Sequence, residues 1–207
     1  MRSFRMRAAY NMTAFDSFKE VQKMVETAKA SWAIWFQLYS FQLGGHKFAL
    51  PIELHDPLFN AISEASRHLT IMNLDALFKG RNDTHSFSNL LEMCEGRLMP
   101  NQANSCRDKI ASLKPLIKGV GKLRGNYFGH RIRMKKAEEF FKDAGLKIKD
   151  IDNLVDAAYW LLWQLACAFI PTDPEITKDI EASVKSSLND VLQGLIDKFN
   201  ALGGAKI

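Results

Sequence analysis

The residues best suited to chemistry in this sequence are Arg124 and His130, which stand six positions apart in the segment from Leu123 to Arg131. An arginine holds a permanent positive charge in a planar fork that matches a phosphate, and a histidine gains or loses a proton near neutral pH. Together the two groups can act on an RNA phosphodiester without a metal ion. The pair therefore indicates a candidate RNA-processing site.

The charge around this pair is positive and concentrated. Residues 109–137 contain nine Lys and Arg residues and no Asp or Glu, whereas the whole chain has a formal net charge of only +5. The remainder of the chain is thus net negative. A concentrated basic segment is typical of a polyanion-binding surface, because neutralised phosphates release their counterions. The alternative is a solvated helix face that contributes only solubility.

Composition predicts one folded domain. The chain has 207 residues, of which 47% are hydrophobic and 25% charged, which is long enough for one core and ordinary for a globular protein. No apolar run follows the arginines near the N-terminus, and the most apolar stretch, 155–170, is shorter than a bilayer span. We expect a cytoplasmic protein with no membrane partner. An odd number of cysteines without metal-ligand spacing favours a reducing compartment: Cys94, Cys106 and Cys167.

Helical periodicity runs along the chain and predicts the all-α class. Residues 1–15 form a basic N-terminal arm in this interpretation, and 16–207 form a single domain. The first three expected helices cover residues 16–43, about 56–77, and 87–94. A basic helix follows, with Pro115 in its first turn, and runs towards Phe141. An aromatic helix then opens at Asp150 or Asp152, and a final helix covers 172–203. Residues 96–104 are rich in Gly, Pro and Asn and predict a loop.

The spacing of Arg124 and His130 has a geometric consequence. On a regular helix the two side chains lie roughly 120° apart around the axis and about 9 Å apart along it. A second copy related by a two-fold axis brings the same patch from both chains together, so we expect a homodimer with a composite site. Gly125 and Gly129 let a phosphate or a partner backbone approach closely.

With this motif in place, the sequence resembles the HEPN superfamily (higher eukaryotes and prokaryotes nucleotide-binding), in particular the HEPN-like proteins of phage abortive infection. The resemblance rests on Arg124 and His130, on the flanking Leu123 and Arg131, and on the preceding segments 56–65 and 107–110, and it covers Trp32 to Arg133. It implies a HEPN-type helical bundle, here with additional C-terminal helices, that dimerises. A polar residue commonly follows the motif arginine in this family, whereas this chain has Gly125 there and Asn126 next.

The resemblance implies a metal-independent endoribonuclease without a cofactor, acting as a toxin or in phage defence, with an antitoxin protein as a partner. His130 would move a proton at a ribose 2′-hydroxyl or at the leaving oxygen, and Arg124 would hold the scissile phosphate. Asn126 would orient the phosphate or the histidine, and Tyr127 would stack on a base or pack. The remaining basic residues would hold the RNA backbone: Lys122, Arg131, Arg133, Lys135 and Lys136.

Two other functions stay open at this point. A non-catalytic HEPN-like module would bind RNA or a partner protein, and a small-molecule-binding bundle would need an apolar pocket with convergent polar groups. Glu64 and His68 share a helix face at i and i+4, but a metal site needs more ligands than this pair provides. The four tryptophans are interpreted as core residues: Trp32, Trp35, Trp160 and Trp163.

Overall fold

The structure, a computed structural model, describes residues 13–42, 56–80, 85–129 and 137–169, together with positions 193 and 197. Seven α-helices and one 3-10 helix are delimited in this part of the chain, and no strand occurs in it. The α-helices are α1 Ala14–Gln42, α2 Asp56–Phe78, α3 Phe87–Cys94, α4 Pro100–Ser112, α5 Lys114–Gly129, α6 Ala137–Asp143 and α7 Ile148–Ala166, with the 3-10 helix Glu95–Arg97 after α3. The predicted all-α class is confirmed.

α1 begins two residues before the predicted start because Thr13 caps it. The Thr13 hydroxyl donates to the Asp16 carboxylate at 2.6 Å and accepts from the Asp16 backbone N–H at 3.1 Å, a reciprocal arrangement that satisfies free donors at a helix start. The Thr13 hydrogen bonds also lower the pKa of Asp16. The helical periodicity predicts an apolar stripe on α1 that ends at Tyr39, which is half-buried. The other residues of the stripe are buried: Phe18, Val21, Val25, Ala28, Trp32, Trp35 and Leu38.

The core lies where α1 packs against α2 and α7. The Trp32 and Trp35 rings stack with their centroids 4.7 Å apart, and the Phe141 ring meets both of them edge-on. Trp32 is buried, but its indole N–H donates to the Asp152 carboxylate at 2.7 Å. This bond gives the buried indole the partner it needs and ties α7 to α1.

Two sequence predictions about the core need correction. Trp160 is 37% exposed, so it is a surface residue of α7 and not part of the core. The apolar residues that predict α2 include Leu69 beside Phe59 and Leu77, yet Leu69 is 45% exposed. Apolar residues occur on both faces of α2, and periodicity alone did not show which face meets α1.

The loop predicted for residues 96–104 is also wrong in its second half. α4 starts at Pro100, which occupies the first turn, where its missing N–H costs nothing. The Gln102 side chain accepts from the Met99 backbone N–H at 3.3 Å and helps to close the helix start. The proline that indicated a loop is therefore the start of a helix.

The boundaries around α5, α6 and α7 follow local chemistry. Pro115 lies in the first turn of α5, as predicted. Gly145 has φ +74°, a left-handed conformation that ends the α6 turn and favours glycine. α7 opens at Ile148, and the Asp150 carboxylate accepts from the Lys147 N–H at 2.7 Å.

Other predictions fall on residues outside the described part. The basic arm before Thr13 and the segment 130–136 belong there, and so does the final helix predicted over 172–203, apart from Gln193 and Asp197, which are both helical. None of the helices in the described residues combines the length and the apolar character needed to cross a bilayer.

Two glycines of α5 provide a matched test of this packing. Alanine in place of an unconstrained helix glycine stabilises a helix by about 0.5–1 kcal/mol. A Cβ at Gly119 would lie 2.7 Å from the buried Leu146 side chain, whereas a Cβ at Gly125 would meet no described atom within 4 Å. We expect Gly119→Ala to lower the melting temperature and Gly125→Ala to raise it. Equal shifts of the two melting temperatures would contradict the packing of α5 against Leu146.

Candidate functional site

Arg124 extends from the buried side of α5 towards its surface. Val120 and Leu123 lie in the core, whereas the Arg124 side chain is 32% exposed. The α5 backbone therefore fixes the Cα of Arg124. The Arg124 guanidinium lies at the edge of the core, where a ligand can reach it.

The Arg124 guanidinium is held by a buried carboxylate from α2. Its Nη1 donates to Asp75 Oδ2 at 2.5 Å, and the Asp75 side chain is only 2% exposed. Asp75 Oδ1 accepts no hydrogen bond from the described residues and faces the Lys79 ammonium at 3.6 Å. A charge-assisted bond to a buried partner is strong and directional, so Asp75 sets the orientation of Arg124.

The α5 backbone approaches Asp75 at Gly121. A Cβ at this position would lie 3.5 Å from Asp75 Oδ1, which is ordinary contact distance. Gly121 and Arg124 are one helical turn apart, so both meet the same carboxylate. Asp75 thus links α2 to the turn of α5 that carries the motif arginine.

The charges at this site do not cancel. Asp75 contributes one negative charge, and Arg124 and Lys79 contribute two positive charges, so the cluster is net positive. Only Nη1 of the guanidinium has a hydrogen-bond partner among the described residues. An arginine has five N–H donors, and the remaining ones can bind an anion such as a phosphate. The arrangement can therefore hold an anion at a fixed position.

The other predicted site residues divide into two groups. Lys122 is exposed on α5. Asn126 and Tyr127 continue α5, but their side chains lie outside the described part of the structure. The remaining predicted residues also lie outside it, so their positions relative to Arg124 stay predictions: His130, Arg131, Arg133, Lys135 and Lys136.

Sequence reasoning missed Asp75 and Lys79. The signal was present, because Asp75 is an isolated acid among Leu74, Ala76 and Leu77 near the end of an apolar helix. A buried acid is almost always paired with a cation. An Asp on the core face of α2 therefore predicts a basic partner, although the sequence does not say which one.

The Glu64 and His68 pair is not assembled as a metal site. The Glu64 carboxylate forms an ion pair with Arg67, whose guanidinium lies 4.6 Å from the Phe140 ring centroid. No cluster of three metal-binding side chains occurs among the described residues. Glu64 therefore helps to position a buried arginine on α2.

An open cavity of about 590 Å³ lies at the junction of α6 and α7. Its walls include Phe141, Leu146 and Ile148, with lysines among its lining residues. Leu146 contacts α5 at Gly119, so the cavity adjoins the motif helix. The lining that the structure describes is mainly apolar, and these described residues show no convergent set of polar groups of the kind that a specific small-molecule site requires.

Comparison with protein-family models gives a match. A model described as AbiU2, of the HEPN type, matches residues 18–161, more than two thirds of the chain. The matched range includes most of α1, all of α2 to α6, most of α7, and the Arg124 and His130 positions. Comparisons with curated proteins and with solved structures found no match.

The link between Asp75 and Arg124 predicts a measurable coupling energy. In a double-mutant cycle with Asp75→Asn and Arg124→Gln, we expect the unfolding free energies to be non-additive by about 1–3 kcal/mol, because the carboxylate is buried. A second cycle, in which Lys79→Gln replaces Arg124→Gln, serves as the control. Its coupling energy should be less than about 1 kcal/mol, since this lysine is largely exposed. Additive effects of the Asp75 and Arg124 substitutions would show that the carboxylate does not hold the arginine.

Proposed function

The chain belongs to the AbiU2 family of HEPN proteins, and on that premise we propose that it is a metal-independent endoribonuclease of a phage abortive-infection system. The observation that carries the proposal is the state of Arg124. Its guanidinium is fixed by a buried carboxylate, yet it remains one-third exposed, and its other donors have no hydrogen-bond partner among the described residues. A preorganised cation of this kind stabilises charge that develops on a phosphate in a transition state.

The proposed reaction is an intramolecular attack within the RNA. His130 removes the proton from a ribose 2′-hydroxyl, and the oxygen attacks the adjacent phosphorus. The bond from phosphorus to the 5′-oxygen breaks, and that oxygen takes up a proton as it leaves. Histidine suits either proton transfer because its unperturbed pKa lies near neutrality. Arg124 binds the non-bridging oxygens, where negative charge accumulates.

The rest of the proposed site binds and aligns the strand. Asn126 orients the phosphate or His130, and Tyr127 stacks on a base. The basic residues of the motif segment hold the backbone through charge without reading its sequence: Lys122, Arg131, Arg133, Lys135 and Lys136. An antitoxin protein that covers this surface would silence the enzyme.

The proposed enzyme is a homodimer. On the regular helix that the sequence predicts through His130, the spacing of Arg124 and His130 spreads the two side chains around the axis, and a two-fold partner supplies a second copy of each. A site at the two-fold axis therefore combines groups from both chains.

A non-catalytic RNA-binding module is the second candidate, and one observation favours it. Gly125 stands where a polar residue commonly follows the motif arginine in this family, so the polar side chain of that position is absent here. The cationic site at Arg124 would still bind RNA in such a module.

Two conservative variants test both the catalysis and the composite site. Arg124→Lys keeps the charge beside Asp75 but loses the planar fork, and His130→Gln removes the proton-transfer group. Each should lower RNA cleavage in the presence of a chelator by at least about 100-fold. After subunit exchange between the two variants, activity should recover to at most about half of that of the unmodified dimer, because random pairing makes half of the dimers mixed.

Lys23→Ala, at an exposed lysine of α1, is the control and should cleave normally. Full activity in either Arg124→Lys or His130→Gln would refute the assigned chemistry. A tag on one chain verifies that the subunits have exchanged. If both variants are inactive and activity does not recover after verified exchange, the composite site is refuted but the catalytic roles of Arg124 and His130 are retained.

A further inference from the structure

α5 carries a row of three exposed lysines, Lys114, Lys118 and Lys122, spaced four residues apart. At about 100° per residue they fall within about 80° of one another around the helix and span about 12 Å along it. Val120 and Leu123, both buried, lie on the opposite side. The row therefore faces directly away from the core.

These lysines have no neutralising partners in the described part of the chain. No described carboxylate lies within ion-pair distance of any of the three, whereas Arg107 pairs with Glu95 and Lys79 faces Asp75. Like charges four residues apart on a helix destabilise it. The row thus imposes a cost on α5 that a bound polyanion would remove.

The path around α5 from Arg124 to this row passes Gly125. Counted around the helix, Arg124 lies about 120° from the middle of the row, and both Gly121 and Gly125 lie between them. Gly121 faces the Asp75 carboxylate of α2, whereas Gly125 is exposed and a Cβ there would meet no described atom within 4 Å. At Gly125 no side chain separates the Arg124 guanidinium from the lysines.

We propose that a single strand of RNA crosses α5 over Gly125, with one phosphate at Arg124 and its neighbours along Lys114, Lys118 and Lys122. Only the contact at Arg124 rests on the proposed function. A single row of lysines matches one phosphate backbone, as in grooves that track single strands. Gly125 is then a specific feature of the binding surface, because any larger side chain would stand in the path of the strand.

The test measures binding separately from cleavage. The probe is a short fluorescent single-stranded RNA with every 2′-hydroxyl methylated, so that it cannot be cleaved by 2′-oxygen attack. Its affinity is measured by fluorescence anisotropy over a range of salt concentrations. Removing two phosphate contacts in Lys114→Ala/Lys118→Ala should weaken binding about tenfold or more and reduce the salt slope by about 1.4.

The matched control is Lys19→Ala/Lys23→Ala, two exposed lysines four residues apart on α1. It removes the same charge and should leave affinity and slope nearly unchanged. Gly125→Gln should weaken binding severalfold without lowering the melting temperature, because glutamine is a good helix former and the site is open.

Equal effects of the α5 and α1 lysine pairs would overturn the proposal. Tighter binding of a duplex RNA with the same lysine dependence would overturn the assignment to a single strand. Unchanged binding by Gly125→Gln would overturn the path over Gly125. Since the probe is not cleaved, these binding results stand whether or not the protein proves to be a nuclease. If the protein cleaves RNA but the lysine variants bind the probe with unchanged affinity, only this inference is refuted and the proposed function is not.

Discussion

The buried carboxylate of Asp75 is the constraint on which the site depends. A carboxylate with 2% exposure is costly to bury unless it is paired, and Arg124 supplies the closest positive charge. This requirement fixes the contact between α2 and α5 and also the direction of the arginine. In the described part of the chain no partner occupies the other guanidinium donors, so a structural ion pair and a candidate anion site share one side chain. Lys79 keeps the cluster net positive.

The remaining features of α5 are consistent with that contact. One side of the helix packs into the core through Val120 and Leu123, and Gly119 brings it against Leu146. The opposite side carries lysines that have no carboxylate partner among the described residues. Repulsion between these lysines destabilises the helix locally. α5 can still carry the row, because its tertiary packing and the ion pair with Asp75 provide most of its stability. Packing and ligand binding are therefore assigned to different faces of the same helix.

Sequence patterns were most informative where local chemistry decides the structure. The all-α class, the bounds of α3 and the position of Pro115 were predicted, since periodicity, caps and proline act over a few residues. The loop assigned around Pro100 and the burial of Leu69 were wrong, because tertiary contacts choose between a loop and a helix start and between two apolar faces. Arg124 was identified through its motif, but its partner Asp75 is 49 residues away in sequence, and no local pattern specifies such a pairing. The arrangement of His130 stays a prediction from the sequence.

The ends left on the RNA test the central claim most directly. If His130 activates a 2′-hydroxyl while Arg124 holds the phosphate, the purified protein should cleave RNA in the presence of a chelator and leave a 2′,3′-cyclic phosphate on one fragment and a 5′-hydroxyl on the other. An RNA with 2′-deoxy sugars at the cleaved positions should remain intact. Fragments that end in a 3′-hydroxyl and a 5′-phosphate, or RNA that stays uncut by the folded protein, would contradict the account.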